Sequence, residues 1–189
     1  MTWIQTYTGK QFHYDDVESN EIDILDVAHA LSHQCRFAGH TSKFYSVAEH
    51  SILCMRLFGD EEEHLQKWAL LHDAAEAYTQ DIVRPMKHML KQMCPAFGEL
   101  EERIERHVWS SLGLEGDLPE EIKITDVHML LAEREALLCE TDYPWELPQC
   151  AFPDLQPRPD IKIYGWQPGR VKGEFLWHHE NLFIDPTRK

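Results

Sequence analysis

Ionisable side chains interrupt the apolar faces of three predicted helices, and this pattern constrains the fold more than any other. In the helix predicted from Asp60, three- and four-residue steps trace one apolar face, on which His72 and Glu76 lie one turn apart. Asp73 follows directly and points about 100° away from His72. Burying a carboxylate without a partner costs several kcal/mol or keeps it protonated. The chain must therefore fold so that these groups meet partners inside a bundle.

Two other predicted helices show the same anomaly. His50 shares a face with Val47, Leu53 and Cys54, and Asp126 shares one with Ile122, Met129, Leu130 and Leu137. Any one buried histidine or aspartate is more often a hydrogen-bonded core group than a ligand, but several on separate inward faces are harder to explain that way. One divalent cation would satisfy all of them together, namely His50, His72, Asp73 and Asp126. This mixed nitrogen and oxygen set suits Mn, Fe, Co, Ni or Zn better than Mg or Ca.

The periodicity is helical through most of the chain. It predicts helices over about 23–34, 46–59, 60–79, 84–92, 96–112 and 119–140, the second of them opened by the capping-box pair Ser46 and Glu49. Five prolines in 142–160 predict an irregular segment, IKIYGW (161–166) is compatible with a short edge strand, and 168–183 predicts a final amphipathic helix. We therefore predict an all-α bundle over 1–141, with a Pro-rich C-terminal extension over 142–189 packed on the same domain.

Charge and composition exclude several classes of function. The formal net charge of −15, with no basic stripe, argues against a polynucleotide partner, although a bound cation and local Arg or Lys residues could still admit a small phosphorylated substrate. No stretch approaches the roughly 18 apolar residues of a membrane span, and the start lacks a signal-peptide pattern, so we expect a cytoplasmic protein without membrane contact. Five cysteines, never spaced C-x-x-C, predict reduced thiols.

Three blocks carry a resemblance to a known family. SVAEHS (46–51), LLHDAAEAYTQDIVRPMKH (70–88) and Asp126 in ITDVHMLLAERE resemble the H…HD…D pattern of the HD-domain superfamily. Within that superfamily, the first two blocks are similar to the YfbR-like 5′-deoxynucleotidases. The resemblance covers about residues 22–141 and implies a helical metal-dependent phosphohydrolase whose metal ligands are His50, His72, Asp73 and Asp126.

The resemblance also implies roles for residues around the metal. Glu76 matches the family's catalytic acid/base carboxylate, and Asp81 matches the carboxylate that reads the sugar hydroxyl. Arg36-Phe37 stands where the family carries an Arg-Trp pair, with the arginine on the phosphate and the aromatic ring lining the pocket, and Phe for Trp is a departure. Lys87 matches a pocket lysine, while a solvent-exposed helix face would also account for it.

The substrate implied is a deoxynucleotide, in one of two versions. A 5′-deoxynucleotidase would release phosphate from a monophosphate, and a triphosphohydrolase would release triphosphate from a dNTP. The longer phosphate chain of a triphosphate needs extra cations on the protein. The candidates are Lys43, Arg84, Lys87, Lys91 and Lys123. The alternatives are a non-catalytic HD sensor that binds a nucleotide, and an HD hydrolase of cyclic nucleotides or ppGpp. By analogy with other HD bundles, we expect a homo-oligomer, a dimer or larger.

Overall fold

Helices make up most of the structure, a computed structural model that describes residues 1–143, 145 and 161–183. Within these ranges the helices are α1 (Ile24–His33), α2 (Val47–Met55), α3 (Glu63–Leu71), α4 (Glu76–Thr79), α5 (Arg84–Met93), α6 (Pro95–Ser111), α7 (Glu120–Leu137) and α8 (Pro168–Phe183). The predicted all-α class is confirmed. Among the described helices, none is long and apolar enough to cross a membrane.

A small antiparallel hairpin precedes the bundle and was not predicted. It pairs β1 (Trp3–Gln5) with β2 (Gln11–His13). The hairpin is attached to α1 through Asp26, whose carboxylate accepts hydrogen bonds from the backbone N–H and hydroxyl of Thr8 at 2.6 and 2.8 Å. Strands of three residues are too short to show a clear alternation of apolar and polar side chains.

The helix predicted from Asp60 to Thr79 is interrupted, so that part of the prediction is wrong. α3 ends at Leu71 and α4 begins at Glu76. Between them the N–H of Ala74 bonds the carbonyl of Leu71 at 2.9 Å, which is the three-residue step of a tighter turn. At this turn the adjacent side chains of His72 and Asp73 meet at 3.3 Å, although neighbours in a regular α-helix point about 100° apart.

A buried carboxylate on α2 holds the C-terminal segment and explains two further differences. Glu49 accepts the backbone N–H groups of Tyr164, Gly165 and Trp166 at 2.7, 2.9 and 2.7 Å. Residues 161–167 therefore form no edge strand, because these donors bond a side chain instead of a neighbouring strand. The predicted capping box is half present: Ser46 Oγ accepts the N–H of Glu49 at 3.1 Å, but the Glu49 side chain serves the C-terminal segment.

The final helix lies where the sequence predicted it and contributes to the core. α8 packs against α1, α2 and α3, and it buries Val171 and Phe175 completely. Most of the predicted Pro-rich segment, 144 and 146–160, lies outside the described residues. The part of the extension that is described thus contacts the helix that carries His50.

We expect Gly165→Ala to destabilise the protein by about 1–3 kcal/mol, because the new side chain is forced into a left-handed backbone conformation. Gly165 has φ +71°, and an added Cβ would lie 2.9 Å from the Phe44 carbonyl oxygen. Urea unfolding would measure the loss.

The matched control is Gly173→Ala on α8, where an added Cβ meets nothing within 4 Å. The free energy of unfolding of that variant should rise by about 1 kcal/mol, the usual difference between alanine and glycine inside a helix. Equal effects of the two substitutions would contradict the role given to Gly165.

Candidate metal centre

The predicted ligand side chains of His72, Asp73 and Asp126 all approach that of His50 between α2, α7 and the turn that joins α3 to α4. His50 Nε2 lies 3.3 Å from His72 Nε2, 3.6 Å from Asp73 Oδ2 and 3.3 Å from Asp126 Oδ1. Ligand atoms that share one ion, each about 2.1 Å from it, are roughly 3–3.5 Å apart. The spacing of these atoms therefore fits a shared cation.

Both histidines are oriented by acceptors at the far side of the ring. His72 Nδ1 donates to the Ala69 carbonyl oxygen at 2.8 Å, and His50 Nδ1 donates to Glu133 Oε1 at 2.5 Å. With the Nδ1 positions so engaged, the Nε2 atoms of both rings face the cluster. Histidines that bind metals are typically held in this way by a carbonyl or a carboxylate. The donor set thus fits a divalent transition metal.

Charges within the cluster shift the pKa values of its members. Burial and Arg36 lower the pKa of His50, but Cys54, the charge of Glu133 and the hydrogen bond with Asp126 outweigh them and raise it well above its usual range. Burial raises the pKa of Asp126, yet the hydrogen bond and charge of His50 bring it well below its usual range. The carboxylates gathered here would also favour a divalent cation at this point.

Glu133 orders the centre and was not predicted. Its fully buried carboxylate accepts hydrogen bonds from His50, from Tyr45 Oη at 2.8 Å and from Arg36 Nε at 3.2 Å. Burial raises its pKa, but the Arg36 and His50 charges prevail and lower it, so the side chain stays an anion. One signal could have found it: Glu133 lies seven residues after Asp126, on the same face of α7.

Arg36 reaches the centre from an unusual loop. Its backbone N–H bonds the Tyr45 carbonyl at 2.9 Å, and the next two residues, Phe37 and Ala38, have φ +56° and +50°. Such values are uncommon for residues other than glycine and store strain. Arg36 Nη1 lies 3.5 Å from Asp73 Oδ2. The Phe37 ring instead faces Trp145, with 6.3 Å between ring centroids.

Glu76 follows the turn that carries His72 and Asp73, and its side chain is largely buried. Its side chain is 13% exposed, and among the described residues its buried Oε2 has no hydrogen-bond partner. Burial raises the pKa of Glu76 well above its usual range, and the charges of Asp73 and Asp81 act in the same direction. A carboxyl group in this state can donate a proton at neutral pH.

Asp81 is positioned relative to Glu76 by one side-chain amide. Gln34 Nε2 donates to the Glu76 carbonyl oxygen at 2.8 Å, while Gln34 Oε1 accepts the backbone N–H of Asp81 at 3.2 Å. Burial raises the pKa of Asp81, and the Arg36 charge opposes that rise. No local pattern pointed to Gln34, because its partners lie more than forty residues away along the chain.

Lys87 and two other predicted phosphate-binding cations are engaged within the protein. Lys87 Nζ lies 3.8 Å from Glu76 Oε1 and 3.0 Å from Glu101 Oε1, and its side chain is 26% exposed. Lys91 pairs with the same Glu101 carboxylate at 2.7 Å, and Lys43 donates to the Ile163 carbonyl at 2.8 Å. Lys87 thus neighbours the predicted acid/base carboxylate, whereas Lys43 holds the C-terminal segment.

A thiol borders the predicted ligands. Cys54, one turn after His50 on α2, is buried with its Sγ 3.5 Å from His50 Nε2. The potential ligand atoms of His50, Cys54 and His72 all lie within 4.8 Å of one another. A soft sulfur donor next to two imidazoles is typical of sites for Zn or another transition metal rather than Mg.

We expect Glu133→Gln to weaken metal binding about 10- to 100-fold, because partners of ligand histidines contribute on that scale. Glutamine lacks the negative charge that orients His50 and balances Arg36. Competition with a chelating dye would measure the affinity.

Tyr45→Phe is the matched control, since it removes one hydrogen bond from Glu133 and leaves the carboxylate in place. Its metal affinity should stay near that of the wild type. Unchanged affinity in Glu133→Gln would show that Glu133 does not position His50.

The chain is similar to known proteins over the range that contains these side chains. The family model described as 5′-deoxynucleotidase YfbR-like matches residues 46–135, a range that contains all four side chains of the centre. The chain is 36% identical to the uncharacterized protein YfdR of Escherichia coli (strain K12). The 185 aligned residues are 96% of this chain and 96% of YfdR. An uncharacterized protein of Rhodobacter capsulatus is 34% identical over 127 residues, 64% of this chain and 63% of that protein. Hydrolases of the HD superfamily use divalent metals. The chain therefore belongs to the YfbR-like 5′-deoxynucleotidase family of HD-superfamily hydrolases.

Proposed function

We propose that this protein hydrolyses phosphoesters of deoxynucleotides with a divalent transition metal held by His50, His72, Asp73 and Asp126. The observation that carries the proposal is that ligand atoms of His72, Asp73 and Asp126 lie 3.3–3.6 Å from His50 Nε2. Arg36 Nη1 lies 3.5 Å from Asp73 Oδ2, and the backbone N–H of Glu76 bonds the Asp73 carbonyl at 3.0 Å. The substrate is a deoxynucleoside monophosphate that yields phosphate, or a deoxynucleoside triphosphate that yields triphosphate.

Arg36 binds the reacting phosphoryl group in this mechanism. When bound, the metal would polarise a phosphoryl oxygen and lower the pKa of a coordinated water. Arg36 Nε and Nη2 are held by Glu133 at 3.2 and 3.1 Å, which directs Nη1 toward Asp73 and the cluster. A guanidinium fixed in this way stabilises charge that develops on the phosphoryl oxygens without having to reorganise.

Glu76 supplies the proton that the leaving oxygen needs. Hydrolysis forms a bond between phosphorus and the water oxygen and breaks the bond from phosphorus to the 5′ oxygen of the sugar, which then needs a proton. The buried Glu76 carboxyl, with its raised pKa, can supply that proton. Lys87 at 3.8 Å stabilises the carboxylate left behind, which then takes up the proton that the attacking water loses.

Asp81 and Phe37 would recognise the nucleoside. Asp81 is anchored to Glu76 through Gln34, so that a sugar hydroxyl bound to its carboxylate would have a defined distance from the acid. Phe37 and Trp145 offer aromatic surface on the side of Arg36.

The test is phosphate release by chelator-treated protein that is reloaded with Mn, Co, Zn, Ni or Mg, using all deoxy- and ribonucleoside mono- and triphosphates. Chromatography resolves orthophosphate from triphosphate, which separates the two versions. We expect turnover of deoxynucleotides over ribonucleotides and transition metals over Mg. Tight nucleotide binding without turnover under any metal would overturn the proposal in favour of a non-catalytic sensor.

A further inference from the structure

A cavity opens beside the metal centre on the side of α5, α6 and α7. Its volume is about 270 Å³, and three of the four ligand residues, His72, Asp73 and Asp126, form part of its lining. Neither Arg36 nor Asp81 is among the described residues that line it. The cavity therefore extends from the metal centre in a different direction from the predicted phosphate- and sugar-binding side chains.

Two cationic side chains, Arg84 and Lys123, line this cavity, and each is about half exposed. Arg84 Nη2 lies 3.3 Å from Asp126 Oδ2, and half of its side chain is exposed. The other oxygen of Asp126 faces His50, so Arg84 lies on the opposite edge of that carboxylate. Lys123, one turn earlier than Asp126 on α7, is 48% exposed and contacts Glu120 at 3.3 Å. In a chain of net charge −15, both of these cations thus border the cavity beside the predicted ligands.

The cavity suits phosphate groups better than a base. Its aromatic residue, Trp109, is only 9% exposed and donates its Nε1 hydrogen to the carbonyls of Leu71 and His72 at 3.2 Å each. A ring fixed in the wall offers little face for stacking, whereas half-exposed cations beside the predicted metal centre match the charge of a phosphate chain.

We propose that Arg84 and Lys123 form a subsite for the phosphate groups beyond the ester that is hydrolysed, which makes a deoxynucleoside triphosphate the preferred substrate. The inference rests on the proposed function, because it assumes that the reacting phosphate binds at the four-ligand centre. Glu105 also lines the cavity and opposes an anion there, so the balance of charge at the cavity can be tested in both directions.

Affinity for inorganic phosphates gives the most direct test. Calorimetry on the Mn-loaded protein would compare inorganic triphosphate with orthophosphate, and triphosphate should bind more tightly. In the double variant Arg84→Ala, Lys123→Ala, the ratio of the two affinities should fall about 100-fold, since each charge-assisted hydrogen bond contributes roughly tenfold or more. Glu105→Gln should instead raise the affinity for triphosphate.

Lys67→Ala is the matched control, because Lys67 pairs with Glu63 on the surface of α3 at 2.6 Å and does not line the cavity. It should keep the wild-type ratio. Circular dichroism would verify that the double variant folds, as expected for side chains that are half exposed. Unchanged triphosphate affinity in the folded double variant would overturn the inference.

Hydrolysis distinguishes failure of this inference from failure of the proposed function. If deoxynucleoside monophosphates are hydrolysed, and triphosphates neither react nor depend on the two cations for binding, the subsite is wrong and the hydrolase stands. If triphosphate binding depends on the cations but no deoxynucleotide is hydrolysed, the proposed function fails and the cavity remains a polyphosphate site.

Discussion

Replacing Asp126 with asparagine is expected to lower phosphate release about 1,000-fold or more, on the scale of several kcal/mol that a catalytic metal supplies. Asp126 is one of two carboxylates in the cluster, and its Oδ1 lies 3.3 Å from His50 Nε2. Asparagine keeps the shape but removes the charge that favours a cation. Initial rates at saturating Mn and the metal content after dialysis would measure the two losses.

A thermal readout separates metal loss from unfolding. A metal that binds the folded protein raises Tm by mass action, so the wild type should gain Tm with Mn and Asp126→Asn should not. Asp16 is exposed and is not part of the centre, so Asp16→Asn should behave as the wild type. Wild-type metal content and turnover in Asp126→Asn would remove this residue from the site.

Glu76→Gln should lower kcat by about 100- to 10,000-fold, the range that general acid–base catalysis contributes, while metal content stays normal. Burial, with the charges of Asp73 and Asp81, raises the pKa of Glu76 well above its usual range. The proton-donating form is therefore present below that raised pKa and is lost as pH rises through it. Rates across pH should show a decline on the alkaline side that disappears in the variant.

The control is Glu102→Gln, because Glu102 is an exposed glutamate of α6. This variant should keep the wild-type rate and pH profile. If the alkaline decline persists in Glu76→Gln, the titrating group is another one. If kcat is unchanged, the proton comes from elsewhere and the buried carboxyl has a structural role.

Local patterns sufficed for most of the helices, although not for the break between α3 and α4, and for the polar side chains that meet at the centre. The final helix was predicted over 168–183 and is observed as Pro168–Phe183. His50, His72 and Asp126 stood out because a charged or polar group on an apolar helix face is costly to bury, and that cost is visible within two turns of one helix. The sequence thus determined which side chains needed a common partner.

Tertiary structure decided which distant groups complete the centre. Glu133 bonds His50 across 83 positions, and Glu49 accepts N–H groups more than a hundred residues away. The tight turn at His72 and Asp73, and the cavity beside Arg84, likewise arise only when helices pack. The spacing of apolar residues along the chain shows which face of a helix is buried, because the same face returns every three to four residues. The identity of what that face touches depends on how separate helices cross, and no short stretch of sequence contains that information.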